Sequence, residues 1–152
     1  MPPFGAALLI GLSLALMRFQ SVPHVALWQA DLSIRSLTIS QANGNLTARV
    51  IVSAESGEAI GARVEVLLPV GVGIVTLGKG CVAGPSPTGI RELQARVECT
   101  LGTMAEGTRR ELKVVTTTPP AGVARGFAVV VMSDTPDPRQ GNNFAERVIP
   151  LP

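Results

Sequence analysis

Two stretches of the sequence gather residue types that do chemistry, and each must be weighed against an ordinary structural use. Gly73-Ile-Val-Thr-Leu-Gly78-Lys79-Gly80 nearly spells a phosphate-binding loop, but Gly80 stands where a Ser or Thr hydroxyl would hold Mg²⁺. Its interior is apolar and partly β-branched, and no helix pattern follows to aim an N-terminus at a phosphate, so it reads as a glycine-flanked strand entering a turn. Asp134-Thr-Pro-Asp137-Pro-Arg-Gln-Gly-Asn142-Asn143 gathers oxygen side chains. Calcium takes about six to eight oxygens, and Asp134, Asp137 and Asn142 would supply a partial set. The spacing does not fit an EF-hand loop and Arg139 intrudes. Asp and Asn beside Pro and Gly are turn formers, so a turn is the first expectation and calcium stays open. The acidic pairs Glu55/Glu58, Glu92/Glu98 and Glu106/Glu111 fall in turns or on solvent faces of strands, with no cleft between them to be inferred. Asn45-Leu46-Thr47 is a glycosylation sequon beside a hairpin turn, with meaning only in a host that glycosylates.

Cys81 and Cys99 are the only two cysteines, and His24 is the only histidine. Zinc needs about four ligands, usually as close pairs, and these two cysteines stand far apart. A Cys-His or Ser-His nucleophile needs an imidazole in the folded body, and the single one lies near the N-terminus. Two uses remain: a pair of unbonded core thiols, or a disulfide closing a loop of about twenty residues and worth ~3 kcal/mol. The disulfide is the favoured reading, and it implies an oxidising compartment.

Composition narrows the function further. The chain has 152 residues, 46% hydrophobic, 16% charged and 3% aromatic, with a formal net charge of +2. A mean hydropathy of +0.36 excludes wholesale disorder. Base- or sugar-stacking surfaces want several aromatics, and nucleic-acid grooves want a large positive excess; neither is present. Arg63, Arg91, Arg96, Arg109, Arg110 and Arg125 are spread over several strands and read as solubilising charge. No cofactor and no small-molecule substrate are expected.

The elements that would position these residues differ between the two ends of the chain. Phe4 to Met17 runs without a charge. That is short for a bilayer span of ~20 residues and matches the apolar region of a secretory signal. No Lys or Arg precedes it, and the small-x-small cleavage pattern is poor. Residues 1–30 are therefore expected to be a signal or anchor segment, with a buried core helix as the alternative. From Asp31 the period becomes two. Leu46, Ala48, Val50 and Val52 share one face, as do Ala62, Val64, Val66 and Leu68. Leu93, Ala95, Val97, Cys99 and Leu101 alternate with Gln94, Arg96, Glu98 and Thr100. Further runs are Leu32–Ile39, Val72–Leu77, Glu111–Thr117, Ala124–Met132 and Phe144–Ile149. Turn signals stand between them, Asn43-Gly44 being the strongest. Short strands without helices predict an all-β antiparallel sandwich over residues 31–152, with Ala48, Val50, Val52, Val64, Val66, Leu93, Ala95, Val97 and Leu112 in its core.

Three segments together resemble a known family: Ala30-Asp-Leu-Ser-Ile34, the stretch Val97-Glu-Cys99-Thr-Leu-Gly-Thr-Met104-Ala-Glu-Gly107, and Ser133-Asp-Thr-Pro-Asp-Pro138 with Asn142-Asn143. In this order they resemble the conserved-repeat Ig-like domains of bacterial and archaeal surface proteins, with Met104 where that family usually has Leu. The resemblance implies an Ig-like sandwich of about seven strands, extracytoplasmic placement (periplasm, cell surface or secreted) and no catalytic residues. The expected function is a non-enzymatic structural or adhesion module of the cell envelope. Protein partners or self-association are expected, with membrane anchoring possible through residues 1–30. The alternative is a surface-filament subunit in which that segment donates a strand to a neighbour's sheet. A carrier for a small apolar ligand or a metal, and an enzyme, rank below these.

Overall fold

The Asn43-Gly44 signal is realised as a tight hairpin turn. Both residues take left-handed backbone angles (φ 51° and 74°), which matches the twist of the strands they join. In the computed structural model, which describes residues 28–84, 95–123 and 125–149, this turn links β1 (Asp31–Ala42) to β2 (Asn45–Ser56). The chain continues through β3 (Ala59–Leu67), β4 (Ile74–Leu77), β5 (Cys81–Gly84), β6 (Arg96–Met104), β7 (Arg109–Thr117), β8 (Arg125–Met132) and β9 (Phe144–Ile149). A single turn of 3₁₀-helix, Gln140–Asn142, is the one helical element among the described residues. All strand pairs are antiparallel, in a four-stranded sheet ordered β1-β2-β7-β4 and a five-stranded sheet ordered β5-β6-β3-β8-β9.

This order is Ig-like. β1, β2, β7 and β4 take the places of strands A, B, E and D, and β3, β8 and β9 take those of C, F and G. The β5–β6 hairpin extends the second sheet beyond β3. The core is the sum of the inward faces: Leu46, Ala48, Val50 and Val52 from β2, Val64 and Val66 from β3, Val97 and Cys99 from β6, and Phe127 and Val129 from β8 are fully buried. Ala48, Val50, Val52, Val64, Val66, Val97 and Leu112 are buried as their alternation predicts.

The structure departs from the sequence expectations in three places. Ala95 is only partly buried, and Leu93 lies outside the described residues, as does the apolar segment from Phe4 to Met17. The alternation of β6 changes phase near Gly102, where Ala59 pairs with Met104, Ala62 with Gly102 and Arg63 with Thr100. This irregularity turns Met104 inward and leaves Leu101 half-buried. There are also nine strands rather than about seven. The unforeseen β5 has four residues and too little alternation to be read alone; main-chain bonds to β6 recruit it.

Two glycines show how closely the turns are fitted. Gly44 (φ 74°) has nothing within 4 Å of where a Cβ would sit, whereas a Cβ on Gly57 (φ 67°) would run into the carbonyl oxygen of Gln29. Gly44→Ala should therefore cost only the left-handed backbone term, about 1 kcal/mol, and Gly57→Ala at least twice that. Chemical denaturation of the two variants side by side measures the difference.

Candidate functional site

The Asp134–Asn143 loop joins β8 to β9 and lies against the start of β1. Its centre is the Asp137 carboxylate. The Leu32 N–H donates to Oδ2 at 2.9 Å, the Asn143 side-chain amide to the same oxygen at 3.0 Å, and the Arg139 N–H to Oδ1 at 2.7 Å. The contact to Arg139 is an Asx-type turn; the other two tie the loop to the first strand and to the entrance of β9. Beside it the buried Asp31 carboxylate accepts from Asn142 Nδ2 at 2.8 Å and pairs with Arg139 at 3.4 Å. The Ala30 N–H donates to Pro136 O at 3.1 Å. Asn142 Oδ1 and Asn143 Oδ1 are buried and accept nothing from the described residues. Their cost is set against the charge-assisted bonds to the two aspartates.

Thr135 works on the other side of the loop. Its hydroxyl accepts from the Ile60 N–H at 3.0 Å and donates to Glu58 O at 3.2 Å, fixing the turn between β2 and β3. Asp134 pairs with Arg63 at 3.0 Å. The oxygens of the partial calcium set are thus dispersed: Asp134 faces Arg63, Asp137 takes three N–H donors, and Asn142 presents its amide to Asp31. Among the described residues no group of three or more His, Cys, Asp or Glu side chains is placed to hold a metal ion.

A second cluster lies on the outer side of β1 and β2. Ser33 Oγ donates to Glu55 Oε1 at 2.6 Å and Arg35 donates to Glu55 Oε2 at 2.6 Å. The Ser33 hydroxyl is the main reason the Glu55 carboxyl is held below its ordinary value; burial pulls the other way, and Ser53 and Arg35 reinforce the lowering. A shallow polar groove of about 370 Å³ runs past Ser33, Arg35, Glu55, Arg139 and Asn142. A second open groove of about 390 Å³ lies between the end of β8 and its loop, with Val130, Met132, Pro136 and Phe144 as its apolar wall. Sequence reasoning set Glu55 in an acidic pair with Glu58 and Asp31 and Ser33 only within a resembling segment, and missed their contacts because the partners are distant in the chain; the Asp137-Pro and Asn142-Asn143 pairs were the visible signal.

Cys81 and Cys99 are joined by a disulfide, on directly opposed residues of β5 and β6, with Cα atoms 3.9 Å apart. The near-phosphate-loop stretch just before it is β4 and a glycine corner. The Gly78 N–H donates to Lys113 O at 2.9 Å in the first sheet, and Gly80 O accepts from the Thr100 N–H at 2.9 Å in the second. Lys79 sits between as the chain crosses layers. Of the acidic pairs, Glu106 accepts from the Gly57 N–H at 3.1 Å and Glu111 pairs with Arg49 at 3.3 Å, while Glu92 lies outside the described residues. Asn45 opens β2, half-buried.

No family model matches the chain, and no curated protein matches it. Several solved structures are similar. The chitin-binding domain of Chi18aC from Streptomyces coelicolor is 11% identical with a TM-score of 0.44, over 72% of this chain and 95% of that one. ChBD2 from Thermococcus kodakarensis KOD1 is 16% identical with a TM-score of 0.42, over 69% and 96%. A protein from Nocardia farcinica described as having an immunoglobulin-like fold is 15% identical with a TM-score of 0.44, over 74% and 80%. These likenesses are of strand arrangement, at identities too low to carry a ligand or partner across.

Asp137→Ala should lower stability by about 3 kcal/mol, because it leaves three N–H donors, from β1, from the loop and from the entrance of β9, without their acceptor. Added Ca²⁺ should leave the melting temperature of the parent unchanged; a scanning calorimeter reads both. Glu55 gives a pH signature. Its folded value lies below its ordinary 4.5, so its contribution is complete above that value and fades as pH falls through the folded one. Glu55→Gln should lose stability at pH 7 and show a flatter acid limb in a melting-temperature series below about pH 4.5.

Proposed function

We propose that the chain is a non-enzymatic Ig-like module of the cell envelope or cell surface, working outside the cytoplasm by structural contact with other proteins. The observation that carries this reading is the use to which the loop-end side chains are put. Asp31, Asp137 and Thr135, and with them Asp134, Asn142, Asn143 and Arg139, bond to strands and turns of the same chain. The chemistry-bearing residues therefore fix a scaffold, and contact is left to the faces and edges of the sheets. The disulfide supports the compartment, since such bonds persist where thiols are oxidised. Residues 1–30 are read as the segment that delivers or anchors the domain, and 31–152 as the domain itself. The chitin-binding domains among the similar structures bring a polysaccharide ligand to mind, but among the described residues the exposed aromatics are Trp28, ahead of β1, and Phe144 on β9, so no row of aromatic rings lies on a sheet face. The strand-donation alternative would use an open edge such as β1, which is twelve residues long.

The test is accessibility in the living cell. Lys79 and Lys113 are the only lysines. In cells expressing the full chain, a membrane-impermeant amine reagent should label them without lysis, and non-reducing mass analysis should show both cysteines bonded. Labelling only after lysis, with reduced cysteines, would overturn the reading.

A further inference from the structure

The two outer faces of the sandwich carry opposite unspent charge. On the five-stranded sheet, the register places Val82, Glu98, Glu65, Val130 and Phe144 in one outward row and Gly84, Arg96, Leu67, Ala128 and Glu146 in the next. Arg96 is paired with Glu65 and Arg63 with Asp134. Among the described residues Glu98 and Glu146 have no cation within ion-pair distance. Glu98 lies beside Val82 at one edge of the sheet and Glu146 between Phe144 and Val148 at the other, and these apolar side chains stay 62%, 53% and 60% exposed. On the four-stranded sheet the outward rows pair Arg49 with Lys113, Ile51 with Glu111 and Ser53 with Arg109. Arg49 is spent on Glu111, and among the described residues Arg109 and Lys113 have no acidic partner. The second sheet thus offers acids around exposed apolar side chains, and the first offers cations around half-buried Ile51 and Val115.

We propose that the chain stacks on copies of itself, the outer face of the five-stranded sheet of one copy seated on the outer face of the four-stranded sheet of the next. This rests on the reading of the chain as a contact-making module and names its partner as a second copy. The charge pattern selects the geometry. A two-fold pair would bring Glu98 and Glu146 against their own copies, or Arg109 and Lys113 against theirs, whereas unlike faces bring acid to base. Unlike faces give a head-to-tail contact with no closure, so the product is an open stack. Size sets the strength. The four-stranded sheet limits the contact, and four strands at about 4.8 Å by roughly 20 Å of strand length give on the order of 400 Å² per copy, below the size of a standard specific complex. Stacking is therefore weak in dilute solution and grows where copies are crowded.

The experiment uses the purified full chain in a non-ionic detergent, which holds the apolar Phe4–Met17 segment apart from the contact measured. Sedimentation velocity should show an average mass that rises with concentration in about 0.01 M salt and returns to monomer in about 1 M salt, where the screening length is near 3 Å. Two charge-reversal variants, Glu98→Lys/Glu146→Lys and Arg109→Glu/Lys113→Glu, should each be monomeric throughout with an unchanged melting temperature. Mixed in equal amounts they should stack again, because each supplies the charge the other lost. A parent that stays monomeric in low salt, variants that associate like the parent, or a mixture that remains monomeric would overturn the proposal. Failure of cell-surface labelling would sink the module reading instead and leave this result on purified protein standing.

Discussion

A two-layer sandwich is held along its middle by apolar contact and is weakest where the layers part, at its ends. Here the end is closed by a cluster of bonds centred on one carboxylate. Asp137 sits in the loop between β8 and β9, neighbours in the second sheet, and receives the N–H of Leu32, in the first strand of the other sheet. It also holds the Asn143 amide that precedes β9. The bond from Leu32 works with those from Ala30 to Pro136 and from Asn142 and Arg139 to Asp31, so that the start of β1 is tied to the second sheet as well as to its edge partner β2. Leu32 in the core, Arg139 over Asp31 and the polar groove beside Glu55 lie around it.

The opposite seam is closed by covalent and main-chain means. Between β4 and β5 the chain has three residues in which to leave one sheet and join the other. Glycine at 78 leaves room for Lys113 O, which would lie 3.1 Å from an added Cβ, and glycine at 80 supplies a left-handed turn (φ 78°). The bond from Cys81 to Cys99 then fixes the short strand β5 to a core-facing residue of β6. What looked like a nucleotide motif is the tightest corner of the scaffold, and its lysine is there because a solvent-facing corner tolerates one.

Much of this was legible in the sequence, for a physical reason. Period-two alternation reports on burial of one strand face, so Val50, Val64 and Val97 could be placed without coordinates. The Asn43-Gly44 turn was legible because few residues tolerate its backbone angles. Alternation failed where the ladder itself changes register, at Gly102, and where a strand is too short to show a period, at β5. The polar ends were the least legible. The Asp-Pro and Asn-Asn pairs announced a structured loop, but their partners Asp31 and Leu32 stand more than a hundred residues away in the chain. Distance of that kind is set by topology, which no local pattern encodes.

The disulfide has one more consequence, for how the molecule ages. Cys81 and Cys99 bracket the stretch that contains Pro85, Pro87, Arg91 and Arg96. A backbone cut between β5 and β6 severs the chain into two polypeptides that remain one covalent molecule. Strand β5 stays bonded to β6 through the sulfurs and keeps its register there, while β6 onward still supplies the strands that complete both sheets. Such a nick would add one water and leave the two pieces joined until a reductant arrived. The bond is a repair made before the injury.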